Sequence, residues 1–213
     1  MPDRYPGYDV LAKRHTPSWN EATRRVIDAR LSLPREPVFF TQDEWLTLNA
    51  VCDRIVPQPK DRPPIPVAAM IDDKLRSDKL DGYRNAKLPR MQEAWRRGLR
   101  ALDAEARARH GARFHLISAK EQIALLEKMQ HGDLNDPAWA DMPSKLFFHE
   151  RVTHDIVAAY YAHPASWNEI GFGGPASPRG YVRMDFDRRD SWEAAEAKPG
   201  QEAAVRRKNL HVG

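Results

Sequence analysis

Residues 88–111 read LPRMQEAWRRGLRALDAEARARHG, and this stretch decides the class of fold. Leu88, Met91, Trp95, Leu99, Leu102 and Ala106 recur at intervals of three or four, which puts them on one face of a helix. Arg96, Arg97, Arg100 and Arg107 take the opposite face. Glu93 precedes Arg97 by one helical turn and Asp103 precedes Arg107 likewise, the order that favours ion pairing along a helix. Gly111 supplies the left-handed residue on which such a helix stops.

The same grammar extends outward in both directions. Ser18-x-x-Glu21, Thr41-x-x-Glu44 and Ser118-x-x-Glu121 each fit a capping box, in which hydroxyl and carboxylate satisfy the orphan N–H groups of a helix start. The first predicts a helix from Trp19 to Leu31, stopped by Pro34. The second predicts one from Gln42 to Val56, with Trp45, Leu48, Cys52, Ile55 and Val56 on one side. Pro57 and PQPKDRPPIP enforce a loop, and Pro66 opens a third helix with Val67, Met70, Ile71 and Leu75 inward. Beyond Gly111 a helix runs from Ala119 to His131 with Ile123, Leu126 and Met129 inward. Another runs from Ser144 to Tyr161 through Phe148, Val152, Ile156 and Tyr160, closed by His163-Pro164. The expected fold is all-α: a single irregular bundle of about six helices with an extended, Gly/Pro-rich C-terminal arm. Residues 1–17 read as an N-terminal arm, 18–163 as the helical domain, and 164–213 as the arm with its basic tail.

Within that arm, residues 167–181 read WNEIGFGGPASPRGY. Glycine alternates with proline, so neither a helix nor a long strand can run through it. Large apolar residues are nevertheless embedded in it, which a solvated linker does not need. We expect an ordered loop lying on a surface, its own or a partner's. The candidate contact residues are Trp167, Ile170, Phe172, Gly173, Gly174, Pro175, Arg179 and Tyr181. Aromatics and arginine dominate interface energetics, and a rigid frame loses little entropy on docking.

Composition narrows the function classes. The formal charge is +4, from 34 basic and 30 acidic residues, with a pI near 9.2 and a mean hydropathy of −0.70. That balance falls short of a dedicated nucleic-acid binder. With no apolar run near the length of a membrane span, no direct membrane insertion is expected. Cys52 stands alone, so neither an internal disulfide nor a cysteine metal cluster is available within one chain. MPDRYPGYDVLAKRH lacks the apolar core of a secretory signal, and the twin Arg24-Arg25 is followed by VIDARL, which carries charge. The expected location is cytoplasmic, or periplasmic if the chain is carried out with an exported partner.

Two motifs look chemical. His149-Glu150-Arg151-Val152-Thr153-His154 approaches the His-Glu-x-x-His of zinc proteases, but its histidines are one residue too far apart, which on an α-helix turns His154 to another face. Gly171-x-Gly-x-x-Ala176 has the letters of a dinucleotide fingerprint without the preceding strand or following helix. The acidic residues read as solvated charges along helices, with no pair set apart as acid and base. No catalytic, cofactor-binding or metal-ligating residue is therefore assigned. Two other readings remain: a helical metal-dependent enzyme using His149 and His154, and a nucleic-acid or adaptor protein using Arg96, Arg97, Arg100 and the tail VRRKNLH (Val205 to His211).

The order of motifs carries a resemblance. An aromatic-led helix ends in IVPQ (Ile55 to Gln58); a Pro-rich loop and an Ala/Ile helix follow. Then come the Leu/Trp helix with ALDAEARARHG, a helix with Phe114, Gln122, Leu125 and Leu126, the run FFHERVTHDIVAAYYAHP, and WNEIGFGGP. Over roughly Phe39 to Tyr181 this resembles the small subunit, subunit 3 or gamma chain, of membrane-associated gluconate 2-dehydrogenase. The resemblance implies a non-catalytic accessory subunit, without a cofactor of its own, that supports folding, stability or export of a large FAD subunit. That partner would belong to the glucose-methanol-choline class, with a c-type cytochrome as a further subunit. Members commonly carry a twin-arginine signal, and here this chain departs from the pattern.

Overall fold

Leu88, Met91, Trp95, Leu99, Leu102 and Ala106 are all buried, as their spacing predicts. In the computed structural model, which describes residues 3–60, 62–78, 81–178, 180, 190 and 192–211, they belong to the longest helix or its approach. In chain order the α-helices are α1 (Glu21–Leu31), α2 (Gln42–Ile55), α3 (Val67–Arg76), α4 (Met91–His110), α5 (Ala119–His131), α6 (Ser144–Phe147), α7 (His154–Ala162), α8 (Pro164–Ile170) and α9 (Glu202–Asn209). A π-helical turn, Phe148–Thr153, joins α6 to α7. Short 3-10 turns lie at Val10–His15, Phe114–Leu116 and Pro137–Trp139. The fold is all-α, with nine α-helical segments among the described residues rather than about six. The extra ones come from the π interruption and from the C-terminal region, which contains α8 and α9 rather than extended chain throughout.

The chain divides into two compact units, residues 33–160 and residues 1–32 with 161–213. In the first, α2 and α5 begin with the expected capping boxes, Thr41 with Glu44 and Ser118 with Glu121. Gly111 and Gly132 end α4 and α5 in the left-handed conformation. Pro66 stands at the N-cap of α3, one residue outside the helix. Trp95 is fully buried and meets the Phe147 ring edge-on at 5.5 Å. Gly98 lets α4 approach that ring so closely that a Cβ there would overlap it. Ile123, expected inward, is 46% exposed, and Leu125 takes its place in the core.

Buried carboxylates tie this unit's loops to its helices, against the expectation that acidic residues are solvated. Asp72 accepts from the N–H groups of Val38, Phe39 and Phe40. Asp103 accepts from the Thr47 hydroxyl and from Phe114 N–H, both at 3.0 Å, so the expected pair with Arg107 is not made. Glu105 accepts from Asp136 N–H at 2.8 Å and from the Trp139 indole at 3.3 Å. Each group exchanges water for several donors, which makes its burial tolerable.

The second unit brings the two ends of the sequence together. Its core holds Tyr5, Tyr8, Val10, Trp19, Ile27, Trp167 and Ala194. Residues 1–17, expected as an arm, thus supply core side chains. Residues 18–32, expected in the helical domain, pack here instead. The capping box expected at Ser18 is absent: Asn20 caps α1, accepting from Thr23 N–H at 2.9 Å. Trp19 is left outside the helix, where it enters the core and forms an isolated bridge with Ser177.

Candidate functional site

The histidine motif spans the π turn and the first residue of α7. There the backbone follows an i to i+5 pattern, seen also in the Thr153 hydroxyl donating to Phe148 carbonyl at 3.1 Å. The α-helical rotation used to separate His149 from His154 therefore does not apply over this segment. Even so, among the described residues the group of potential ligands that converges here is Asp81, His154 and Asp155, without His149. His149 is exposed.

That group is already neutralised from within. Lys74 Nζ lies 2.6 Å from Asp81 Oδ1 and 3.1 Å from Asp155 Oδ1. Arg151 Nη1 donates to Asp81 Oδ2 at 2.8 Å, and the Trp95 indole donates to Asp155 Oδ2 at 2.8 Å. Burial opposes ionisation of Asp81, but the hydrogen bonds and charges of Lys74 and Arg151 outweigh it and hold the carboxyl below the ordinary aspartate value. A divalent cation would have to share these oxygens with two cations already in place, so the residues present do not fit a metal. The cluster is an ion-pair network that fixes the loop at Asp81 to α3, α4 and the π turn. Sequence reasoning missed it because Lys74, Asp81, Arg151 and Asp155 are dispersed along the chain. The available signal was Asp155 standing between Val152 and Ile156 on an apolar face.

The outer face of α4 is likewise internally paired. Arg96 stacks over the Phe39 ring at 4.4 Å and donates to its carbonyl at 2.6 Å. Arg97 pairs with Glu93 and Asp141, and Arg100 with the buried Glu44. Of the tail VRRKNLH, Val205 to Asn209 fall within α9.

The loop after α8 is ordered by its backing. Gly171 ends α8 with positive φ, and Phe172 N–H donates to Trp167 carbonyl at 2.9 Å. The Trp167 indole donates to Tyr161 carbonyl at 2.7 Å, and Phe172 meets its ring edge-on at 5.6 Å. A Cβ at Gly174 would come within 3.2 Å of the Trp167 ring and 3.1 Å of Val10. Lys13, only 1% exposed, donates to Gly173 carbonyl at 3.0 Å. Among the expected contact residues, Trp167, Gly173 and Gly174 are buried within this unit, so they back the surface rather than present it. Trp167 to Ile170 close α8, and the helix stops at Gly171, so none runs through the rest of the segment. Ile170 and Phe172 are 47% and 42% exposed, Tyr161 is 47% exposed, and Pro175 is half-buried. Arg179 and Tyr181 lie outside the described residues.

These features define an all-α protein of helical units. Among the described residues, no helix is long and apolar enough to cross a membrane. The family model for gluconate 2-dehydrogenase subunit 3 matches residues 42–174, more than half of the chain, and the chain belongs to that family. No curated protein and no solved structure matches it.

Proposed function

We propose that the chain is a non-catalytic accessory subunit of a flavin-dependent dehydrogenase complex of the gluconate 2-dehydrogenase type. It holds the large FAD subunit of the glucose-methanol-choline class in a folded, stable or exportable form, with a c-type cytochrome subunit as a further member. The observation that carries this reading is the family match, which runs through α8 and ends at Gly174. It is supported by the apolar residues Tyr161, Ile170 and Phe172, exposed beside a buried tryptophan on a backbone fixed by Lys13 and two glycines. We place the contact with the flavin subunit on that face, with Pro175 beside it.

The test is co-expression with the flavin subunit and capture through a tag on this chain. Deleting everything after His163 would remove Trp167 from a core, so point variants are the cleaner perturbation. Ile170→Ser with Phe172→Ser should leave the melting temperature of the isolated chain within about 2 °C, since both side chains are half-exposed. Capture of the flavin subunit should fall by roughly 30-fold, the loss of about 2 kcal/mol typical of an anchor residue. Undiminished capture removes the assigned face. Failure of the wild-type chain to bind any flavin subunit, or dye reduction with sugars and polyols by the isolated chain, removes the accessory reading.

A further inference from the structure

A cavity of about 280 Å³ opens under the loop that follows α3, lined by residues of that loop, the start of α4 and the π turn. At its inner end lies Arg151, whose side chain is 6% exposed. Its Nη1 serves the two carboxylates of the ion-pair network. Among the described residues, its Nε and Nη2 have no hydrogen-bond acceptor. Arg151 lines the cavity, so Nε and Nη2 are the donors it has left for a ligand there.

A second donor set meets the same space. Met91, the first residue of α4, lines the cavity, and among the described residues the N-cap Arg90 side chain makes no capping hydrogen bond. The orphan N–H groups and the dipole of a twenty-residue helix favour an anion there. Charge agrees: Arg84, Arg90 and Arg151 line the cavity against one carboxylate, that of Asp81. The walls are apolar, from Leu88 and Met91, and Tyr83 stands 70% exposed at the cavity. A volume near the lower end for small-molecule sites suits a compact ligand.

We propose that this cavity binds a small organic carboxylate, its oxygens against Arg151 and the amino end of α4, its apolar body against Leu88, Met91 and Tyr83. Arg84 and Arg90 draw the anion in. The site is independent of the face assigned to the flavin subunit and does not rest on the accessory role.

The experiment is a ¹H–¹⁵N NMR titration of the full chain with benzoate, benzamide as the neutral isostere, and inorganic phosphate as an anion without an apolar body. Benzoate should give saturable shifts at the Met91 and Gln92 amides and at Arg151 Nε, with benzamide and phosphate roughly tenfold weaker. Arg151→Lys keeps the charge but loses the planar fork, so benzoate should bind roughly tenfold more weakly. Should that variant not fold, Arg84→Gln at the cavity mouth should still weaken binding a few-fold. Absence of saturation with benzoate overturns the proposal, as does equal binding of benzamide or phosphate, or unchanged affinity in the folded arginine variants.

Discussion

Replacing Trp95 separates the two ways in which this side chain holds its unit together. The indole is fully buried, stacks edge-on against Phe147, and donates to Asp155, itself 2% exposed. Trp95→Phe keeps most of the apolar area but removes a hydrogen bond to a charged acceptor, worth about 1.5–3 kcal/mol. Trp95→Ala also opens a cavity, for which large aromatics cost about 3–5 kcal/mol. The two losses arise at one site and do not simply add, so about 5 kcal/mol is expected for alanine. With a urea slope of about 2 kcal/mol/M, the midpoints should fall by roughly 1 M for phenylalanine and 2.5 M for alanine. Ile123→Ala, on the exposed side of α5 despite its apolar spacing, should move the midpoint by less than about 0.3 M. Circular dichroism at the helical band, with the slope checked for constancy, measures all three. A Trp95→Phe midpoint indistinguishable from the parent would refute the buried hydrogen bond. An Ile123→Ala loss equal to that of Trp95→Ala would refute the packing phase itself.

Gly98→Ala should destabilise by about 1–3 kcal/mol through overlap with the Phe147 ring, and Phe147→Leu in the same chain should recover part of that loss in urea unfolding. Lys13→Met leaves the Gly173 carbonyl without its buried donor; hydrogen exchange at Phe172 and Gly173 should accelerate while α4 amides stay unchanged. Asp81 has a folded-state pKa below its ordinary value, so its contribution is present above the unfolded value of about 3.9 and is lost as pH falls through the folded one. In Asp81→Asn that acid-sensitive component should vanish from a stability-versus-pH profile, while stability at neutral pH drops because Arg151 keeps a buried charge with fewer acceptors.

Much of the fold was legible because apolar spacing reports burial directly. The face of α4 and the boxes at Thr41 and Ser118 came straight from residue type and interval. The failures share a physical cause. Asp103 stands one turn after Leu99, and Asp72 one turn after Ala68; these positions lie on inward stripes, yet a carboxylate letter reads as solvent-facing. What makes burial possible is a donor elsewhere in the chain, Thr47 and Phe114 for one, the turn at Val38 to Phe40 for the other. The π turn escaped notice for a similar reason: an inserted residue shifts the phase without changing composition. An acidic residue at an inward position is itself the signal that a distant loop is tied there.

The glycine-rich segment shows how such distant partners redraw a candidate contact surface. Its sequence announces an ordered frame with apolar anchors, and both properties are present. The partner of its buried side, however, is the chain's own beginning: Tyr5 crowds Gly171 so closely that a Cβ would overlap its ring, Val10 crowds Gly174, and Lys13 holds Gly173. Trp167 is consumed by that packing. The face proposed above for a second protein is the complement of what the N-terminal residues cover, which on the described residues means Tyr161, Ile170, Phe172 and the half-buried Pro175. A substitution at Tyr5 or Lys13 should therefore reach the partner face indirectly, by loosening the backbone under Phe172. One at Ile170 should reach it directly and leave the exchange protection of Gly173 intact. Hydrogen exchange and capture, measured on the same variants, separate the two routes; a Lys13→Met chain that keeps both full protection and full capture would break the link between the buried lysine and the face.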